Sequence, residues 1–221
     1  MTQNCINDQQ VVSMSFQIIS TTGIYTPPSN LIFAIVEMLG GGAGSRSENS
    51  ASIRVGAPGS ACSYRVAGYT RAQLAPSVSI TIGAGGTASN NGGTTSFGAV
   101  LAVGGNVGGS SSGFGPSAGA ASSGLPSGGN MNSRSYGTNW GWAQIIGANR
   151  VGQSTNGGSS LYGGGAPGIA FDTAAATAVN GTNAQGFGAG ASGGYTANSG
   201  GNTTGGTGSP GVILITEFLG S

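Results

Sequence analysis

Five carboxylates, Asp8, Glu37, Glu48, Asp172 and Glu217, are the whole acidic supply of this 221-residue chain, and there is no histidine. Without imidazole, Ser-His-Asp and Cys-His nucleophilic catalysis, histidine-ligated metals and a histidine pH switch are all excluded. Glycoside hydrolysis needs only two carboxyl groups, about 5 to 10 Å apart across a cleft. Glu37 and Glu217 fall near the ends of predicted strands and could be sheet neighbours, although two strand-edge carboxylates near arginines or facing solvent are by far the better reading. Cys5 and Cys62 are the only cysteines; neither has a CxxC partner, so they read as two inert thiols, with one disulfide arithmetically open. The GAGG and GGGAP runs lack the Gly-Lys-Ser/Thr of a phosphate loop. The residues therefore predict a protein that is not an enzyme and holds no cofactor and no metal.

Binding chemistry is better supplied. The segment 133–150, SRSYGTNWGWAQIIGANR, holds both tryptophans. Arg134, Tyr136, Asn139, Trp140, Trp142 and Arg150 form its candidate receptor-binding set. Aromatic faces stack on sugar rings, while Asn and Arg satisfy hydroxyls and acidic groups. In an extended segment, W-G-W would also send both indoles to one side. The competing reading is that the indoles anchor a glycine-rich bundle short of other hydrophobes. SRSENSASIR, 45–54, gathers Arg46, Glu48 and Arg54 and reads as a solvated loop tip. Tyr162, Phe171, Phe187 and Tyr195 stand singly among glycines and are expected to pack or cap.

The elements that must position these residues are unusual. Glycine contributes 47 of the 221 residues, charged residues only 5 %, and six arginines give a formal net charge of +1. That balance cannot supply the basic surface nucleic-acid binding needs. No apolar run reaches the ~18 residues of a membrane span, and the polar opening MTQNCINDQQ does not read as a secretory signal. Such a composition would ordinarily suggest disorder, but the apolar residues cluster into strand-length runs.

Val12, Met14, Phe16 and Ile18 alternate with Ser13, Ser15 and Gln17, which reads as a half-buried strand. Residues 22–30, with Pro27-Pro28, form a turn or short edge piece. LIFAIVEML, 31–39, reads as a strand ended by Gly40-Gly41-Gly42. Further strands are expected at 63–69, 78–82, 95–103 and 212–218. Residues 104–211 contain almost no strand-like run, yet so long a structureless loop is implausible. Glycine pairs three apart recur at Gly41/Gly44, Gly56/Gly59, Gly83/Gly86, Gly105/Gly108, Gly165/Gly168, Gly190/Gly193 and Gly205/Gly208/Gly211. A three-residue period fits extended left-handed helices that pack by a glycine edge and hydrogen-bond laterally. The organisation expected is an N-terminal strand or attachment segment (1–30), a first part of a β framework (31–103), a glycine-rich region presenting loops (104–211) and a closing strand (212–221).

The order IVEMLGGGAG, SYRVAGY…SVSITIGAGG, GGTTSFGAVLAVGG, GGGAPG and GGTGSPGVILITEF resembles the glycine-rich tail-fibre and adhesin domains of tailed bacteriophages. More loosely, the chain is similar to the distal adhesins of T-even-type long tail fibres. The resemblance implies an all-β fold, a jelly-roll-like β sandwich with a glycine-rich, polyglycine II-type insertion. It implies a virion protein at a tail fibre or spike tip whose loops 133–156, 171–185 and 45–55 meet a bacterial cell-surface receptor, with other virion subunits as partners. A homotrimer and a monomer on a trimeric fibre are both open. A purely structural virion component is the alternative.

Overall fold

The computed structural model describes residues 13–50, 53–108, 131–133, 141–197 and 201–221. Its strands in chain order are β1 Ser13–Ile19, β2 Gly23–Tyr25, β3 Leu31–Leu39, β4 Glu48–Ser50, β5 Arg54–Val55, β6 Tyr64–Thr70, β7 Val78–Thr81, β8 Thr95–Phe97 and β9 Val100–Ala102. They continue with β10 Met131–Ser133, β11 Trp142–Ile146, β12 Asn149–Gln153, β13 Ala170–Thr173, β14 Thr177–Val179, β15 Tyr195–Ala197, β16 Gly201–Thr203 and β17 Val212–Leu219. A single turn of helix, α1 Arg71–Leu74, is capped at Thr70 through Gln73.

Two sheets form a sandwich. One has the order β1-β17-β3-β6-β10 and the other β2-β7-β8-β9. The chain crosses between them at β1–β2, β2–β3 and β6–β7, in the manner of a jelly roll. Ala34, Val36, Met38, Ile213 and Ile215 from the first sheet meet Tyr25, Ile80 and Phe97 from the second, with Leu74 of α1 closing the core. β3 takes the predicted span because its alternate residues reach this core and its glycine run stops it. The fold is all-β, as expected.

Three expectations need correction. The segment 95–103 is a hairpin, because Gly98 takes φ +58° and turns the chain between Phe97 and Val100. The excursion 104–211 does contain strands, β10 to β16, too short and too poor in β-branched residues to stand out in the sequence. β1 forms where the alternation places it, but the buried half is the polar one. Ser15 and Gln17 turn toward the sandwich, and Gln17 donates to Glu217 at 3.0 Å, while Met14, Phe16 and Ile18 face outward.

The glycine-rich segments build a second layer of structure that extends from one end of the sandwich. Residues 40–46 run along its centre. Successive backbone N–H groups donate in three directions: Gly41 and Gly44 to the carbonyls of Gly93 and Asn90, Gly42 and Ser45 to Ser209 and Gly206, Ala43 and Arg46 to Ser60 and Ala57, all at 2.8–3.0 Å. Three further segments donate back, through Gly86 to Gly42, Gly105 to Gly41 and Ala191 to Ala43. The central strand thus has a neighbour on every side, with the three-residue period of a polyglycine II helix.

The same period orders the outer helices. Gly56 and Gly59 both donate into 191–194, Gly190 and Gly193 into 155–158, and Gly208 and Gly211 into 83–86. Each of these three pairs therefore presents one edge to one neighbour, whereas Gly105 and Gly108 donate to two, at Gly41 and Pro58. Side chains are excluded from these edges by distance: a Cβ on Gly42 would lie 1.9 Å from the Ala189 carbonyl oxygen. Backbone groups that a sheet would pair are satisfied here without one. The bundle is not confined to 104–211, since 40–46, 56–62 and 83–94 contribute to it.

Where bundle meets sandwich, Cys62 is buried against Leu39 and Val212, with Phe187 packed over them. Burial pushes the Cys62 thiol up to about 12, well above the ~8.5 of a free thiol. The folded state therefore holds the thiol neutral. The stability this represents is complete below pH ~8.5 and is lost as the pH rises toward 12, at about 1.4 kcal/mol per unit. Burial also raises Tyr25 and Tyr64, with their bonds to Glu217 and Glu37 adding to it, so they act in the same sense at higher pH. Urea midpoints are expected to fall between pH 8 and 10.5, and to fall less in Cys62→Ala; equal falls would count against a buried thiol.

Candidate functional site

The helices of the bundle run alternately away from and back toward the sandwich. At about 3.1 Å per residue, 40–46 carries the chain roughly 20 Å outward. The links at that far end are β4 and β5, the β11–β12 hairpin with β13, and β14, β15 and β16. They assemble into small sheets of order β11-β12-β13, β14-β15-β5 and β16-β4. Segments separated by as many as 150 residues in sequence are thereby brought to one end of the molecule.

A compact core holds this end together. Phe171 of β13 stacks on Tyr195 of β15 with ring centroids 4.0 Å apart, surrounded by Ile53, Val55, Ala143 and Ala197. The small residue Gly152 makes room for the Phe171 ring, which would lie 2.5 Å from any Cβ there. Glu48 is also drawn in. It is only 3 % exposed and lies 3.6 Å from Arg54, with Oε1 unpaired, and burial raises its pKa despite the arginine. The expected solvated tip at 45–54 is thus corrected in part: the backbone pairing of β4 with β16 and β5 with β15 draws Ser45, Glu48 and Ile53 inside, while Arg46 and Asn49 stay exposed.

Of the predicted binding residues, Trp142 and Arg150 lie among the described ones; Arg134, Tyr136, Asn139 and Trp140 lie outside them. Trp142 is exposed at the start of β11, and Ile145 and Ile146 are exposed toward its turn at Gly147-Ala148. Arg150 pairs with Ile145, whereas Trp142 pairs with Gln153. The odd offset puts Trp142 and Arg150 on opposite faces of this sheet. The Arg150 guanidinium bonds the Ala148 carbonyl, and Asn149 donates to Asp172 at 2.8 Å, so the hairpin end is fixed by its own polar groups. Ile145 and Ile146 were missed by the sequence reading; the signal was an apolar pair ending in Gly147 at a hairpin turn.

The other singled-out aromatics pack. Phe171 and Tyr195 form the distal core, Phe187 covers the junction near Cys62, and Tyr162 donates its hydroxyl to Glu37 at 2.7 Å. Glu37 also accepts from Tyr64, while Glu217 accepts from Tyr25 at 2.6 Å inside the sandwich. The two carboxylates sit on adjacent strands, but the register aligns Glu37 with Leu214 and Glu217 with Ala34. They consequently point to opposite faces of the sheet and share no cleft. Among the described residues no three His, Cys, Asp or Glu side chains gather to hold a metal, and no helix is long and apolar enough to cross a membrane.

A β sandwich continued into a bundle of laterally hydrogen-bonded glycine helices defines a glycine-rich domain. The match to the model of the glycine-rich domain family covers residues 19–217, and the chain belongs to that family. No curated protein matches it.

Proposed function

We propose that the protein is a bacteriophage virion protein, an adhesin at a tail fibre or spike tip that binds a host cell-surface receptor, glycan or outer-membrane protein, without catalysis. The observation that carries this reading is the distal hairpin. Trp142, 43 % exposed, and Ile146 are held out on one face of a short sheet whose other face, which carries Ile145, is anchored by the Phe171–Tyr195 stack. Rigid support lowers the ordering cost of binding, and Trp is among the side chains most enriched at binding hot spots. The order of glycine-rich segments ending in PGVILITEF supports the phage assignment by resemblance.

Antibody labelling of intact particles is the first test, with label expected at the distal end of a fibre or spike. Trp142→Ala is then expected to weaken host binding about tenfold or more, since hot-spot truncations cost ~2 kcal/mol, while leaving the fold intact. Undiminished binding would remove the hairpin from the receptor surface. Label confined to the capsid or inner baseplate would favour a purely structural virion role, a reading to which the outward apolar face of β1 lends support.

A further inference from the structure

Among the described residues, the outer face formed by β1, β17 and β3 is apolar and exposed. Met14, Phe16 and Ile18 of β1 are 70 %, 58 % and 60 % exposed, and Phe33 of β3 is 37 % exposed. Register places them in one continuous field: Met14 beside Phe218, Phe218 beside Phe33, Phe16 beside Thr216, Thr216 beside Ile35, and Ile18 beside Leu214. Phe33 lies across Gly68 of β6 and 6.4 Å from the Phe218 ring. The one charge in the field among the described residues, Glu37, is bound by the hydroxyls of Tyr64 and Tyr162. β1 turns its serines and glutamine inward to leave this face outward. That is the reverse of what a solvated edge strand favours.

We infer that this face is the contact surface for a second copy of the same chain, packed sheet against sheet. The area and the charge both favour that occupant. At about 200 Å² per large apolar side chain, Met14, Phe16, Ile18 and Phe33 together expose roughly 450 Å², as much as the largest patch on an ordinary monomer surface. Two such faces together bury about 900 Å², and the half-buried Ile35, Leu214 and Phe218 with the rim bring this toward the ~1,200 Å² of a stable interface. A face without free charge offers no pattern for a charged partner to complement, but it matches itself about a twofold axis. Sheets stacked face to face sit about 10 Å apart, the same arrangement the inner face of this sheet already makes within the sandwich.

Light scattering and sedimentation of the purified full chain across nanomolar to micromolar concentration test the inference. A mass of twice 21.1 kDa is expected, and Phe16→Glu is expected to weaken the dimer at least a hundredfold while circular dichroism stays unchanged. The double variant Met14→Ser with Ile18→Ser should do the same by removing area without adding charge. Ile24→Glu is the control: Ile24 is equally exposed but lies on the outer side of the other sheet, so its dimer should persist. A 21.1 kDa particle at every concentration, or a dimer indifferent to both face variants, overturns the inference. The measurement uses neither host nor phage particle, so it stands or falls separately from the adhesin reading.

Discussion

Gly42→Ala is expected to prevent folding, leaving the chain insoluble or unfolded at 25 °C. The added methyl would sit 1.9 Å from the Ala189 oxygen and 2.3 Å from its carbon, so the obstacle is backbone and no rotamer change relieves it. Moving the 189 segment away breaks its own lateral bonds, in which Ala189 donates to the Ser209 hydroxyl, Ser209 donates back to the Ala189 carbonyl and Gly190 donates to Gly158. Each buried backbone group left unpaired costs about 1–3 kcal/mol. Several together approach the 5–15 kcal/mol that separates a folded domain from its unfolded chain. Gly164→Ala is the matched control, because a methyl there meets nothing within 4 Å. It should be neutral or stabilise by about 0.4–1 kcal/mol through the unfolded state. Denaturation of both variants checks the pair, and a well-folded Gly42→Ala protein would disprove close packing around the central helix.

Phe171→Ala should dismantle the far end while sparing the sandwich. The ring is 6 % exposed and stacked on Tyr195, and truncating a buried phenylalanine costs about 3–5 kcal/mol. That loss falls on a small core of Ile53, Val55, Ala143, Tyr195 and Ala197, in which, among the described residues, Phe171 is the one ring that β11, β12 and β13 contribute. Hydrogen exchange should therefore accelerate in 142–153 and 170–173 but not in β3 or β17, as expected for units of unequal local stability. Host binding should fall at least as far as in Trp142→Ala, because the whole hairpin loses its support. Uniform acceleration across all strands would mean that the two ends of the molecule unfold as one.

What the sequence made legible was local. LIFAIVEML declares its strand because eight apolar residues and one glutamate end at three glycines, and Gly56/Gly59 or Gly190/Gly193 declare a helical edge because their spacing is the period of the helix. What it concealed was relational. The alternation of β1 separates two faces but contains nothing that says which one turns inward; that is decided by Glu217 on the neighbouring strand, which needs the Gln17 amide. Glu48 looked solvated because its burial comes from the pairing of β4 with β16, more than a hundred residues on, where the Thr203 hydroxyl accepts from the Glu48 N–H. Trp142 was legible as a displayed aromatic, whereas its separation from Arg150 to the opposite face depends on a hairpin register that the residues between them do not spell out. The pairing of Glu37 and Glu217 on one sheet was readable, and their opposite orientation was not.

The bundle has a consequence for how the molecule responds to temperature. Unfolding most proteins exposes chiefly hydrocarbon, which raises the heat capacity, while exposing peptide groups lowers it. In the bundle much of what is hidden from water is backbone amide rather than side chain, so the polar contribution offsets more of the apolar one. The heat-capacity increment per residue is then smaller than in an ordinary globular domain, and the curve of stability against temperature is correspondingly flat. A molecule built this way keeps nearly the same margin in the cold as in the warm.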